Sequence, residues 1–228
     1  VYGNDITIQD TAGAAGYGMR LGSGDVTLNA RDNAAIDLAS IAVNAAINKS
    51  VVDTSQLDLR ADKDIVFTNG SMTTTNGLLN VVLNADRDGD QDSAVIVNNS
   101  NIITNGGYFV AGGGNGTVWG VDGIEGTADD AASTGAEKIA AWGSVNYSDG
   151  VRLNNSDITT GAGSISLTGH GNTNSANNNQ RGIMLQAGSM LTTSTGAVTL
   201  TGLGGNGADY NYAILLDGAN SGITSQKG

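Results

Sequence analysis

The chain has no proline and no cysteine, and each absence removes a class of architecture. Without cysteine there is neither a disulfide framework nor a thiolate metal site. Without proline every residue keeps its backbone donor, which suits strands that pair on both edges. Aromatic residues make up only 4%, and Lys and Arg number 10 against 22 Asp and Glu, a net charge of −12. Phosphate backbones and anionic lipids are held through Lys and Arg, so neither nucleic acid nor membrane insertion is expected. No apolar run approaches the ~18 residues of a membrane span.

What fills the chain is Gly (35 residues), Asn, Thr, Ser and Ala, with 39% hydrophobic residues. That apolar content, regularly spaced, belongs to a folded chain rather than a disordered one. The spacing shows best in two stretches, Val151–Gly171 and Ile183–Gly205. Aliphatic pairs lead each (Val151 and Leu153; Ile183 and Leu185). A Ser follows (Ser156; Ser189), then an aliphatic residue (Ile158; Leu191) and two Thr (Thr159 and Thr160; Thr192 and Thr193). After a Gly turn a second aliphatic pair appears (Ile165 and Leu167; Val198 and Leu200). Pairs spaced by two point to one face of a strand.

Traced along the chain, the second kind of pair predicts one row of strands at Ile6 and Ile8, Val26 and Leu28, Leu57 and Leu59, Val81 and Leu83, and Tyr108 and Val110, continuing to the two above. The first kind predicts another row at Met19 and Leu21, Ile36 and Leu38, Ile65 and Phe67, Val95 and Val97, and again at Ile214 and Leu216. A third row holds Thr73, Ile102, Ile158, Leu191 and Ile223. Residues 39–55 mix their spacing; a strand then a turn is expected, with a short helical turn as the alternative. Three short strands per ~30 residues is the signature of a coil that stacks on itself. One rung offers roughly six inward aliphatic side chains at ~1.5–3 kcal/mol each. Ordering it costs ~1–2 kcal/mol for each of its ~30 residues, so a rung folds only against neighbours. The expected fold is all-β: a right-handed parallel β-helix of about seven three-stranded rungs, with one loop insertion at 112–149. The repeat is under way at Val1 and cut at the other end, so a single segment, 1–228, of a longer protein is expected.

The strings LNARD at Leu28, QLDLRADKDIVF at Gln56 and VVLNADRDGD at Val81 share an L-x-A-x-x-D pattern. It resembles the repeats of filamentous haemagglutinin-like exoproteins, the β-helical passengers of two-partner and autotransporter secretion. The resemblance implies an extracellular, bacterial cell-surface adhesin or filament segment acting in attachment; the cut pattern at both ends separately predicts neighbouring rungs or subunits end to end. A host glycan or surface protein is the implied ligand.

For chemistry, Asp86, Asp88, Asp90 and Asp92 alternate directly after a strand. Four carboxylates so close repel unless a hard cation joins them, and calcium accepts such oxygens; a solvated acidic turn is the alternative. The string resembles the Asp-rich calcium loops of thrombospondin repeats. A second acidic string offers Asp122, Glu125, Asp129 and Asp130, again for calcium. The runner-up function is a carbohydrate-binding or polysaccharide-degrading β-helix, because Gly-His-Gly around His170 resembles a string of polygalacturonase-like enzymes, with Asp129 and Asp130 as its acid pair. Yet His170 holds the loop position of Leu203 one repeat later, and the turn accounts for its glycines, so no enzyme is expected. A binding-only module would use Trp119, Trp142 or Tyr210 and Tyr212. The Thr residues at equal distance from their Ser (Thr75, Thr104, Thr160, Thr193, with Ser225) are expected to hydrogen-bond along a stacked ladder, and Asn98, Asn99, Asn154 and Asn155 to form ladders at a corner.

Overall fold

A computed structural model describes residues 2–3, 5–10, 18–31, 39–114, 139–173 and 178–226. The described residues form no helix. They form 22 strands in three sheets with parallel pairing throughout, and the chain is a parallel β-helix of seven rungs. Rung 1 contains β1 (Tyr2–Gly3), β2 (Ile6–Ile8) and β3 (Met19–Leu21); rung 2 contains β4 (Val26–Ala30), β5 (Ile41–Val43) and β6 (Ile47–Lys49). Rung 3 follows with β7 (Thr54–Ala61), β8 (Ile65–Thr68) and β9 (Met72–Thr74), and rung 4 with β10 (Leu78–Ala85), β11 (Val95–Asn98) and β12 (Asn101–Ile103). Rung 5 is β13 (Phe109–Gly113), β14 (Ala141–Trp142), β15 (Val151–Asn154) and β16 (Asp157–Gly161). β17 (Ile165–His170), β18 (Ile183–Gln186) and β19 (Met190–Thr193) make rung 6; β20 (Val198–Leu203), β21 (Ile214–Asp217) and β22 (Gly222–Ser225) make rung 7. We name the walls A, B and C after the first, second and third strand of a rung.

Inward pairs stack in columns because the strand period of two repeats in register from rung to rung. In wall A, Val26, Leu57, Val81, Phe109, Ile165 and Val198 are successive neighbours. In wall B the column runs Ile6, Ile41, Ile65, Val95, Val151, Ile183, Ile214. One continuous core results, with most of its side chains wholly inaccessible.

Several expected placements are corrected. Ile6 and Ile8 lie in wall B, beside Ile41 and Val43, and Met19 and Leu21 lie in wall C, beside Ile47 and Lys49. Residues 39–55 supply two strands and the start of a third, with no helical turn. Ile36 and Leu38 fall outside the described residues. The inward pair of β13 is Phe109 and Ala111, not Tyr108 and Val110, since Phe109 pairs with Val81; a slip of one residue exchanges the two faces. For the same reason Met72, rather than Thr73, pairs with Ile102. Within the expected 112–149 insertion, β14 takes over from β13 as the partner of β17, with Ala141 beside Gly169 and Trp142 beside His170; residues 115–138 lie outside the described residues.

The corners explain the polar residues. Between walls B and C, Asn69, Asn99 and Asn155 turn with φ of 55°, 47° and 48°, a conformation Asn tolerates. Asn155 donates to the side chain of Asn99 at 2.9 Å, as the expected ladder requires. A serine ladder runs beside it: the Ser100 and Ser156 amides donate to the hydroxyls of Ser156 and Ser189 at 3.1 and 3.0 Å. Between C and A, Thr75 donates along the stack, to Lys49 O of the rung below at 3.2 Å, but the Thr hydroxyls of rungs 4 to 6 bond within their own turn. Thr104, Thr160 and Thr193 each donate to the carbonyl three residues on (Gly107, Gly163, Gly196) at 2.5, 2.6 and 2.8 Å. The Thr that faces inward in rung 3 is Thr74, not Thr75. Lys49, fully buried, is its neighbour in rung 2. Its ammonium does what the Thr hydroxyls do elsewhere, donating to Val51 O at 2.7 Å, Asp53 O at 3.0 Å and the Asp53 carboxylate at 2.5 Å.

Candidate functional site

From rung 2 onward the connections between B and C and between C and A are short, whereas those between A and B run from three residues (62–64) to twelve (171–182). The A–B corner is therefore where the coil displays loops, and the acidic string lies on it. After Ala85, Asp86 adopts φ 55°, Gly89 77° and Gln91 70°. Three left-handed residues in six wind the loop tightly, and Gly89 occupies the one that carries no side chain. The Gln91 amide donates to Asp86 Oδ1 at 2.8 Å, and the Asp92 amide to Asp90 at 3.1 Å. One carboxylate oxygen from each of Asp86, Asp88 and Asp90 consequently lies within 4.8 Å of the others. Asp88 and Asp90 are exposed; Asp86 is 1% exposed. Burial pushes the Asp86 carboxyl up to about 8, against the Gln91 amide and with Asp90 and Asp88 adding to the rise.

Asp92 turns away from this group. Its carboxylate takes Lys63 Nζ at 2.6 Å and the Val145 amide at 2.8 Å, tying rung 4 to the rungs on either side. Asp122, Asp129 and Asp130, with Glu125 and Trp119, lie outside the described residues.

The same corner holds buried acids that were not anticipated from the sequence. Asp62 pairs with Arg87. Asp64 accepts the Ala94 amide at 2.8 Å and the Ser144 hydroxyl at 3.3 Å. Asp149 meets Arg181 at 3.1 Å and Arg152 at 3.8 Å. A signal existed: Asp62 and Asp86 each directly follow the Ala that ends a wall-A strand. Burial raises Asp64 above the ordinary 3.8, opposed chiefly by the Ala94 amide. A carboxyl raised by folding holds its proton more tightly in the folded state. The stability it contributes is full below the ordinary value and is lost as pH rises through the raised one. Asp64→Asn is therefore expected to flatten the decline of the unfolding midpoint as pH rises from ~4. Equal pH profiles in variant and wild type would refute it.

His170 lies in the wall. Its ring stacks on Trp142 with centroids 3.8 Å apart and planes 14° from parallel, Nδ1 is 2.6 Å from Gly171 O, and its ladder neighbour is Leu203. Trp142 is 5% exposed, so it is a packing residue rather than a sugar platform. Tyr210 and Tyr212, at 62% and 45% exposure with rings 6.5 Å apart, stand on the outermost A–B loop. Comparison with family models, with curated proteins and with solved structures finds no match. The class of the protein rests on its fold: a parallel β-helix with an acidic corner.

Proposed function

We propose that the chain is a non-catalytic structural segment of a bacterial surface or extracellular filament protein, stacking end to end and displaying its A–B loops for attachment. The observation that carries this is the state of rung 7. Ile214, Leu216 and Ile223 point inward yet are 37%, 43% and 42% exposed, whereas Ile183, Leu185 and Leu191 one rung earlier are wholly buried. Rung 1 offers Ile6, Ile8 and Met19 at the corresponding positions of the same walls. A second copy added head to tail would extend the parallel ladders of walls B and C, and such a contact does not close on itself. Its strand edges also gain partners.

Sedimentation of the 228-residue chain over a range of concentrations tests the reading. Assembly that grows with concentration and is abolished by Leu216→Lys with Ile223→Lys is expected; a monomer at all concentrations overturns it. The exposed Tyr210–Tyr212 pair favours a second reading, glycan binding. Saturable binding to a polysaccharide panel, lost in Tyr210→Ala with Tyr212→Ala, would support that reading. Turnover lost in His170→Ala would replace both with an enzyme.

A further inference from the structure

We infer that Asp86, Asp88 and Asp90 form a binding site for a hard divalent cation of calcium's size, anchored at the end of wall A by the buried Asp86. Such a site does not depend on the end-to-end assembly above and would survive its failure.

Two independent observations meet here. The first is the spacing of the carboxylates. Calcium holds its oxygens at about 2.3–2.6 Å, so two oxygens on one ion stand at most ~5 Å apart, and the three Asp oxygens lie within 4.8 Å of one another. The second is a buried carboxyl oxygen that no N–H of the protein reaches. Asp86 is 1% exposed and its Oδ1 takes the Gln91 amide, but its Oδ2 meets no hydrogen-bond donor. A buried carboxyl oxygen left so is costly, and the Asp88 and Asp90 carboxylates of the same loop stand close to the group.

The nearby protein cations do not answer this need. Arg87, within the loop itself, is paired with Asp62. Lys63, from the loop one rung below, is paired with Asp92 at 2.6 Å. Both ion pairs tie the loop to rung 3, and neither brings a donor to Asp86 Oδ2. An ion from solution would be held by one buried carboxylate at the end of the wall strand and two on the exposed turn, with waters completing its shell. It would also brace Asp92, two residues beyond Asp90, which joins Lys63 of rung 3 and Val145 of rung 5. One ion would thus fasten three successive rungs at the corner.

The test is calorimetric titration with calcium chloride, together with thermal unfolding in calcium and in chelator at constant ionic strength. Asp86→Asn is the decisive variant, because Asn also accepts the φ of 55° found there and can still take the Gln91 amide. Asp217→Asn, an exposed carboxylate on β21, is the charge-matched control. One saturable site with Kd on the order of 10⁻⁴–10⁻³ M is expected. At ~100-fold excess over Kd the unfolding midpoint should rise by ~5–10 °C. The wild type and Asp217→Asn should respond alike and Asp86→Asn not at all. If Asp86→Asn does not fold, Asp88→Asn with Asp90→Asn, both on the exposed turn, is expected to lose the response equally. Magnesium at the same concentration is expected to shift the midpoint less, and a larger shift with magnesium overturns the calcium assignment. Absence of saturable binding up to ~10 mM, above the range of such loops, or equal calcium responses in every variant, leaves an acidic turn only and overturns the site.

Discussion

Replacing Gly163 with Ala is expected to destabilise the coil by ~3 kcal/mol or more, although it adds one methyl group to a corner that looks permissive in sequence. A Cβ on Gly163 would stand 2.0 Å from the Gly107 carbonyl oxygen and 2.4 Å from its carbon. Those are backbone atoms of the rung below, held by their own ladder, so no rotamer change relieves the clash. The column repeats: a Cβ on Gly107 would meet Leu79 O at 2.1 Å, and one on Gly196 would meet Gly163 O at 1.9 Å. The methyl would have to part rungs whose strands sit ~4.8 Å apart. It would also disturb the Thr160 hydroxyl, whose acceptor is the carbonyl of Gly163 itself. Gly22→Ala is the control, because nothing lies within 4 Å of its added Cβ. Urea unfolding should show a change within ~0.5 kcal/mol for Gly22→Ala and a large loss for Gly163→Ala. Coincident curves would mean that the corner relaxes freely.

Phe67→Ala is expected to cost ~3–5 kcal/mol. Phe67 is fully buried on β8, with Val43 below it and Val97 above it in the same column. Both neighbours are smaller, so the ring fills core space that neither Val reaches, and the rigid ladders keep the rungs from closing over the gap. The ring's removal therefore leaves a cavity rather than a collapsed wall. Phe67→Leu keeps most of the volume and should lose under ~1.5 kcal/mol. Hydrogen exchange gives a spatial check, since contacts in a stacked coil are between neighbours. Amides of rungs 2–4 should lose protection before those of rung 6. A uniform loss, or none, would show that the ring is not a local support.

The coil and its walls were legible because every rung repeats the same spacing, as Leu57 with Leu59 and Val81 with Leu83 show. Which wall a pair belongs to was less legible, since a period of two looks the same in all three. Later rungs are told apart by their corner Ser and Thr-Gly turns. Rung 1 shows neither as plainly, and spacing alone sets Ile6 with Ile8 and Met19 with Leu21 one wall too early. Phase failed where the pattern offers no contrast: in the run Met72-Thr73-Thr74-Thr75, and at Tyr108-Phe109-Val110-Ala111, where either pair could face inward. At the site, the alternation of Asp86, Asp88 and Asp90 was visible. The burial of Asp86, and the turning of Asp92 to Lys63, 29 residues earlier in the chain, follow from which loops stack on one corner, and no local string records that.

The direction of the ladders has a mechanical consequence. Every strand runs across the axis of the coil, so the hydrogen bonds between rungs run along it. A pull on the two ends therefore does not unzip one bond after another. It loads all three walls between a pair of rungs together, and the serine ladder at the B–C corner with them. Under tension the coil behaves as a stack of plates clamped on three sides, rather than as a thread drawn off a spool.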